Sequence, residues 1–553
     1  MTIKIQIIKR IQQALKYLST ENISFKVEIP KKKEHGDFST NVAMQLASVL
    51  KQPPHKIAKE FIKHFDCKDL IKEIFIAGSG FINFRLENES SSKVLYKIKK
   101  EGDNYGKSKT GEGIRVLVEF VSANPTGPLH IGHIRGAVVG DVLCRLLSAS
   151  GYSVEREYYF NDAGNQMQML GNTLQLKIDE MLGKKVDWPK QYYRGSYMDD
   201  IAKTILDKFG EEKLKIKHEL AFYTELAVSE ILKTIKTDLK KMEINFDNWF
   251  SETTLHKNNE ITNTLKTLKK NNCLYEQDGA TYLRTINHGD EKDRVIIKSD
   301  GSYTYILPDI AYHNNKYKRG FNHLINVLGG DHHGYVPRLK AGISSLGHQK
   351  DDIQCVLVQM VSVLKENVTT KISTRSGEFI TLEEMINEIG TEVVRYFFAM
   401  HSSDTQMVFD WNLAKDTSMN NPIYYVQYAH ARCCSLFRKA EETGIIFLDI
   451  SEINLSLLSH PDEQKILHVI ENFPEIINSA TIDLAPHYIT NYLYNLAQHF
   501  HTFFAQGNND PSLRILLADK PSLTQARFAL IDGLRIVLAN GLRLLGIKPI
   551  QKM

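Results

Sequence analysis

Residues 114–141 read IRVLVEFVSANPTGPLHIGHIRGAVVGD, and this stretch decides the fold. Ile114–Val121 is an apolar, β-branched run bounded by turn residues, which predicts a buried strand. Pro125, Gly127 and Pro128 mark a loop. From about His130 to Ser150 a helix is expected, with Ile134, Val138, Val142, Leu146 and Ala149 on one face and Gly151 as its stop. Val154–Tyr159 predicts a second strand. Strand, helix and strand within about forty-five residues form a βαβ unit, and such units build parallel sheets.

His130 and His133 lie three residues apart at the start of that helix, so their rings share a face. Unpaired N–H groups and the positive dipole end already favour an anion there. Two imidazoles add hydrogen-bond donors for phosphate oxygens as charge builds in a transition state. Gly132 between them keeps the backbone open to a flat nucleotide. Metal ligation is the poorer reading, because a zinc centre needs at least one more strong ligand nearby.

On the amino-terminal side, residues 1–105 predict an α+β unit. Ile3, Ile7, Ile8, Ile11, Leu15 and Leu18 give a first amphipathic helix rather than a transit peptide. A hairpin is expected at Ile74–Ile76, Gly78-Ser79-Gly80 and Phe81–Phe84. The linker Glu101–Gly113 contains Gly102-Asp-Asn-Tyr-Gly106-Lys107-Ser108, which falls one residue short of a phosphate-binding loop and is rejected as one. On the carboxyl-terminal side, 170–290 predicts a charged helical insertion. Sheet-like segments return at Thr304–Leu307, Leu324–Leu328 and Cys355–Val363. From about 381 the chain predicts helices only. Thr381 and Glu384 form a capping box, and Leu530, Ile531, Leu534, Val537, Leu538, Leu542 and Leu545 give the last helix its apolar stripe.

Composition sets the outer bounds. The 553 residues are 42% hydrophobic and 24% charged, which excludes a disordered or fibrous chain. With 69 Lys+Arg against 65 Asp+Glu, the net charge of +4 permits nucleic-acid binding without demonstrating it. Six scattered cysteines with no C-x₂-C pair argue against structural zinc and for a reducing, cytoplasmic setting. No apolar run is long enough for a membrane span.

His130-Ile131-Gly132-His133 resembles the HIGH signature of class I aminoacyl-tRNA synthetases, and SANPTGPLHIGHIRGAVVGD resembles the arginyl-tRNA synthetase family in particular. Tyr158–Gly164 (YYFNDAG), Gly329–Val336 (GGDHHGYV), Tyr424–Arg432 (YYVQYAHAR), Glu34–Phe38 and Gly80–Phe84 are similar to that family too, so the likeness runs almost end to end. The resemblance implies a Rossmann-like parallel-sheet catalytic domain (106–395) with an inserted helical subdomain. It also implies an N-terminal α+β tRNA-contacting domain (1–105) and a C-terminal all-α anticodon-binding bundle (396–553).

It implies further that the chain, as a monomer, joins L-arginine to its tRNA through an arginyl-adenylate, using ATP with Mg²⁺ as the substrate complex and no metal of its own. His130 and His133 are then catalytic. Pro125, Gly127, Gly132, Gly330 and Asp331 are expected around ATP with both histidines. The second class signature falls at Lys371-Ile372-Ser373-Thr374-Arg375 and departs from KMSKS because Thr374 replaces a lysine. Arg375, then Lys371, are the candidates to meet the pyrophosphate, and Ser373 to touch ATP. Glu119, Ser122, Asn124 and His133 are expected on the amino-acid end of arginine, with Tyr305 and Asp309 around its guanidinium. Taken alone, Asp309 is better read as a helix cap, and only the resemblance reverses that preference. Tyr424, Tyr425, Tyr428 and Met553 are candidates for tRNA, although helically spaced aromatics also serve as core. The missing lysine leaves one alternative, a tRNA-binding paralogue with impaired catalysis.

Overall fold

The computed structural model describes residues 3–18, 23–28, 30, 35–68, 70–86, 88–216, 218–366, 368–371 and 380–553. At its centre is a sheet of five strands: β1 (Arg115–Glu119), β2 (Ser153–Phe160), β3 (Asn248–Ser251), β4 (His323–Gly329) and β5 (Ile353–Val358). They lie in the order β5-β4-β1-β2-β3, and every neighbouring pair is parallel. The chain winds outward from β1 in one direction through β3 and in the other through β5. That reversal opens a crevice at the carboxyl ends of β1 and β4. Both faces of the sheet are covered. Val116 and Val118 pack into one core with Ile134 and Val138, while Leu117 packs into another with Ile310, Leu324 and Ile343.

The helix after β1 spans Ile131–Ala149. It is buried around most of its circumference rather than along one stripe, because it lies between the sheet and the helices Thr391–Ala399 and Phe473–Ile482. Gly140 permits this closeness, since a Cβ there would stand 2.3 Å from the Phe120 ring.

Four sequence expectations are corrected here. Thr304–Leu307 is not a strand: Thr304 N–H donates to Ile296 O at 3.0 Å, and the chain turns helical over Ile306–Lys318. Cys355–Val363 splits into β5 and Val361–Lys365; the latter belongs to a separate sheet with Val368–Lys371 and Met407–Asp410. The strand Met407–Asp410 also interrupts the helices-only reading after 381. The helical insertion, with Asn165–Met181, Tyr197–Phe209 and Leu220–Lys241, ends before β3. The remainder of 170–290 contains that strand and two strands of a small antiparallel sheet (Leu274–Gln277 and Ala280–Leu283) that Arg294–Ile297 completes.

The N-terminal unit has its own core of Ile7, Ile11, Phe38, Leu46, Phe61 and Phe84 under a four-stranded sheet that includes the predicted hairpin. The carboxyl-terminal helices are Pro422–Glu442, Pro461–Glu471, Phe473–Ile482, His487–Asn509 and Pro521–Leu544, and every residue of the predicted final stripe is buried. Helix Asn88–Glu101 shares their core through Leu95 and Ile98.

Two fully buried arginines tie these parts together. Arg135 donates to Gln359 O, Thr405 O and Ser402 O at 2.9, 2.8 and 2.7 Å. Arg395 donates to Leu545 O and Met242 O at 2.7 and 2.8 Å and to the carboxylate of Asp141 in the Ile131–Ala149 helix. Asp141, itself buried, also holds Arg145 at 2.7 Å and Arg156. Burial alone would raise its pKa, but Arg395, Arg145 and Arg156 outweigh burial and hold it below the usual range.

Candidate functional site

His130 caps the helix with extended backbone (φ −123°, ψ 170°), and its Nδ1 accepts from Gly132 N–H at 3.2 Å. His133 Nδ1 accepts from His130 N–H at 3.4 Å, closing a capping box made of two imidazoles whose centroids lie 3.9 Å apart. An accepting Nδ1 puts the ring proton on Nε2, so each ring keeps one outward-facing kind of donor. Burial lowers the pKa of His130. Burial, with His130 adding to it, brings His133 down to about 3. Both are therefore neutral donors at the positive end of a helix. A Cβ at position 132 would lie 3.0 Å from the His130 ring, so Gly132 also leaves room for this cap.

The chain returns to the same spot much later. Ile131 N–H donates to Ile380 O at 3.1 Å and Leu382 N–H to Leu129 O at 2.9 Å, so the end of the second signature loop runs beside the first. Lys371 ends the strand Val368–Lys371; Ser373, Thr374 and Arg375 lie outside the described residues.

A cleft of about 750 Å³ opens at the carboxyl ends of β1, β2 and β4. Glu119, Ser122, Asn124, Tyr305 and Asp309, scattered over almost two hundred residues, all line it. His133 and the residues expected around ATP, namely Pro125, Gly127, His130, Gly132, Gly330 and Asp331, are not among its lining residues. Gly127 instead leaves room for the Tyr197 ring, whose hydroxyl donates to Thr126 O at 2.6 Å, and the Asp331 side chain is exposed after β4.

The loop leaving β1 is strained. Val121 (φ 67°) and Ser122 (φ 43°) are consecutive non-glycine residues in the left-handed region, a conformation held where surrounding structure over-determines it. Ser122 Oγ donates to Glu119 Oε1 at 3.1 Å and accepts from Tyr159 N–H at 3.2 Å, while Asn124 Oδ1 accepts from Asn161 N–H at 3.3 Å.

Glu119 has a partner that sequence reasoning missed: the fully buried Lys316, with Nζ 2.5 Å from Oε2 and 3.4 Å from Asn326 Oδ1. Asp309 is not the cap of its helix; Tyr305 holds that position, and Asp309 sits inside the first turn facing the cleft. Burial pushes its carboxyl up to about 7, aided by Glu119 and Glu252 and opposed by the Tyr335 hydroxyl that donates to it and by Lys316. Glu252, which accepts from the Tyr159 hydroxyl, adds a third carboxylate to the lining. One signal for Lys316 was available, since 309, 312 or 313, and 316 fall on one helical face. Glu252 and Tyr335 carried no comparable local signal.

On the helix Pro422–Glu442 Tyr424, Tyr425 and Tyr428 are half-buried, and Met553, after the last helix, is exposed. Tyr425 stacks on the more exposed Tyr494 at 4.9 Å, and Arg432 covers Tyr428 at 4.4 Å. Among the described residues no group of three or more His, Cys, Asp or Glu side chains could hold a metal ion, and no helix is long and apolar enough to cross a membrane.

Comparison with known proteins agrees along the whole chain. Residues 94–408 match the profile of the tRNA synthetases class I (R) catalytic domain, 5–86 the arginyl tRNA synthetase N terminal domain, and 426–553 the DALR anticodon binding domain. Arginine--tRNA ligase of Citrifermentans bemidjiense is 44% identical over 97% of this chain and 96% of that protein. Arginine--tRNA ligase of Bacillus subtilis is 44% identical over 95% of this chain and 94% of that protein. The solved Thermus thermophilus arginyl-tRNA synthetase shares the fold at a TM-score of 0.77, with 22% identity and all of both chains covered. With a class I catalytic domain covering more than half its length and relatives matching nearly all of it, the chain belongs to the class I arginyl-tRNA synthetases.

Proposed function

We propose that the chain activates L-arginine with ATP and transfers it to the terminal adenosine of its tRNA, releasing AMP and pyrophosphate. The observation that carries this reading is an acidic cleft lined by Glu119, Glu252 and Asp309 at the crevice of a parallel sheet, joined by one loop to a helix start bearing two neutral imidazole donors. A guanidinium is always protonated and its planar fork pairs with carboxylates, so Asp309 with Tyr305 and Glu252 are assigned to the side chain of arginine. Glu119, Ser122 and Asn124 are assigned to its α-amino and carboxylate end. Lys316 pairs with Glu119 in the wall of the cleft and holds its carboxylate in place.

His130 and His133 donate to the phosphoryl group as the carboxylate attacks, and positioning supplies the rest. Lys371 and Arg375 are proposed to meet the departing pyrophosphate, with Pro125, Gly127, Gly132, Gly330, Asp331 and Ser373 around the nucleotide and Mg²⁺ arriving with it. Tyr424, Tyr425, Tyr428 and Met553 are proposed tRNA contacts, and 1–105, 106–395 and 396–553 the working units of a cytoplasmic monomer. The impaired-paralogue reading has no structural support, since His130, His133, Glu119 and Asp309 are all present and packed into place. ATP–pyrophosphate exchange with arginine, run with and without tRNA, tests the enzyme reading; absent exchange in both conditions overturns it. Charging total tRNA with each amino acid in turn tests the substrate.

A further inference from the structure

A second cleft, of about 580 Å³, lies at the opposite, amino-terminal end of the central strands, where the Ile131–Ala149 helix ends and β2 begins. Its lining contains Lys107, Arg145, Arg156 and Arg543 against one acid, Asp103. The cations are not fully neutralised from below. Arg145 and Arg156 share the single carboxylate of Asp141 with Arg395, so one negative charge faces three guanidiniums. Asp247 accepts the Arg156 backbone N–H at 2.8 Å and its charge also acts on that guanidinium, and Asp103 pairs with Arg543 at 2.9 Å, so three acids stand against Lys107 and four arginines. At the helix end Ala149 O and Ser150 O each accept a linker N–H at 2.9 Å, from Ser108 and Gly111, which weakens the negative pole the cations must outweigh.

The remaining wall is apolar, formed by Phe473, Ile477 and Leu544. We propose that this cleft binds a nucleotide-sized phosphate ester, with the phosphates on the cations and the flat, less polar body against that wall. Guanidinium forks suit phosphate oxygens bidentately, and a lysine adds a point charge. The volume falls in the range of small-molecule sites and exceeds what a bare phosphate fills. The segment Gly102–Ser108, which is no phosphate loop, contributes through the Lys107 side chain instead. Its charges come from three parts of the chain: the linker (Lys107), the central sheet and its helix (Arg145, Arg156), and the final helix (Arg543). A bound ligand would therefore fasten all three.

The test uses the full chain with the main cleft saturated by L-arginine and a non-hydrolysable ATP analogue. GDP, and separately inorganic pyrophosphate, is titrated by calorimetry. The expected result is one GDP per chain, weakening as salt rises, and bound at least about tenfold more tightly than pyrophosphate. Lys107→Glu and Arg543→Glu each weaken GDP at least about tenfold. Both side chains are solvent-accessible and lie outside the main cleft, so ATP–pyrophosphate exchange measured without GDP stays at the wild-type value, and loss of the exposed Arg543–Asp103 pair shifts the melt only slightly. No saturable binding at millimolar GDP, or charge-reversed variants that bind as the wild type does, overturns the site. Pyrophosphate binding as tightly as GDP overturns the nucleotide-sized ligand.

Discussion

Asp309 offers the sharpest test, because its two protonation states do opposite things. Its carboxyl ordinarily titrates near 3.8, and burial moves it to about 7. A guanidinium pairs only with the ionised form. At pH 6 roughly a tenth of the molecules, and at pH 8 roughly nine tenths, then offer a carboxylate, so the dissociation constant for L-arginine should be about tenfold weaker at pH 6. Arginine binding near pH 6 should also release close to one proton. Stability moves the other way. A carboxyl whose folded pKa is raised stabilises the fold below its unfolded pKa, and that contribution is lost as pH rises through 7. At about 1.4 kcal/mol per pH unit, the ionised group costs the unliganded protein about 4 kcal/mol at pH 8. Asp309→Asn should therefore melt higher than wild type at pH 8 without arginine. It should bind arginine at least about a hundredfold more weakly, and its affinity should no longer change between pH 6 and 8. Calorimetry across that range, in buffers of differing ionisation enthalpy, reads both the affinity and the proton. A flat wild-type profile, or a variant that keeps wild-type affinity, would refute the assignment of Asp309 to the guanidinium.

Three further outcomes follow from the packing. Replacing His133 by Asn should lower the exchange rate about 10²–10³-fold while leaving arginine affinity near wild type, since the imidazole acts in the phosphoryl step. Asp141→Asn should cost at least about 3 kcal/mol in urea unfolding, because three guanidiniums lose their shared carboxylate. With its folded pKa lowered, the Asp141 contribution is present at neutral pH and lost on acidification, so wild type and variant should converge as pH falls below 4. Gly140→Ala should destabilise by about 1–3 kcal/mol, since the new methyl meets the Phe120 ring within 2.5 Å, and a melting temperature equal to wild type would contradict that contact.

The parts legible in the sequence were those whose signal is local. The strand Arg115–Glu119, the helix that follows it and the Thr381–Glu384 box each declare themselves within a few residues. The apolar run Tyr305–Leu307 misled because short β-branched segments carry no period, and Pro308 sits harmlessly in the first turn of the helix that forms there. Strand Asn248–Ser251 is four residues long and pairs only because β2 lies beside it. Most hidden were the partners inside the cleft. Lys316 meets Glu119 across 197 positions and Tyr159 meets Glu252 across 93, and nothing in a linear pattern pairs a buried cation with its acid.

The grip of Arg395 on Asp141 bears on how the polypeptide comes to be assembled. The two are 254 positions apart, and the same guanidinium also holds the carbonyl of Leu545. During synthesis the helix containing Asp141 leaves the ribosome long before either, so its anion waits with only Arg145 and Arg156 until Arg395 emerges, and Arg395 in turn waits for the Leu545 carbonyl. Arrival of the segment after the helix Pro521–Leu544, rather than completion of the βα core, is then the moment at which the Arg395 guanidinium is fully held, and truncation before Leu545 should loosen the Ile131–Ala149 helix at a distance from the cut.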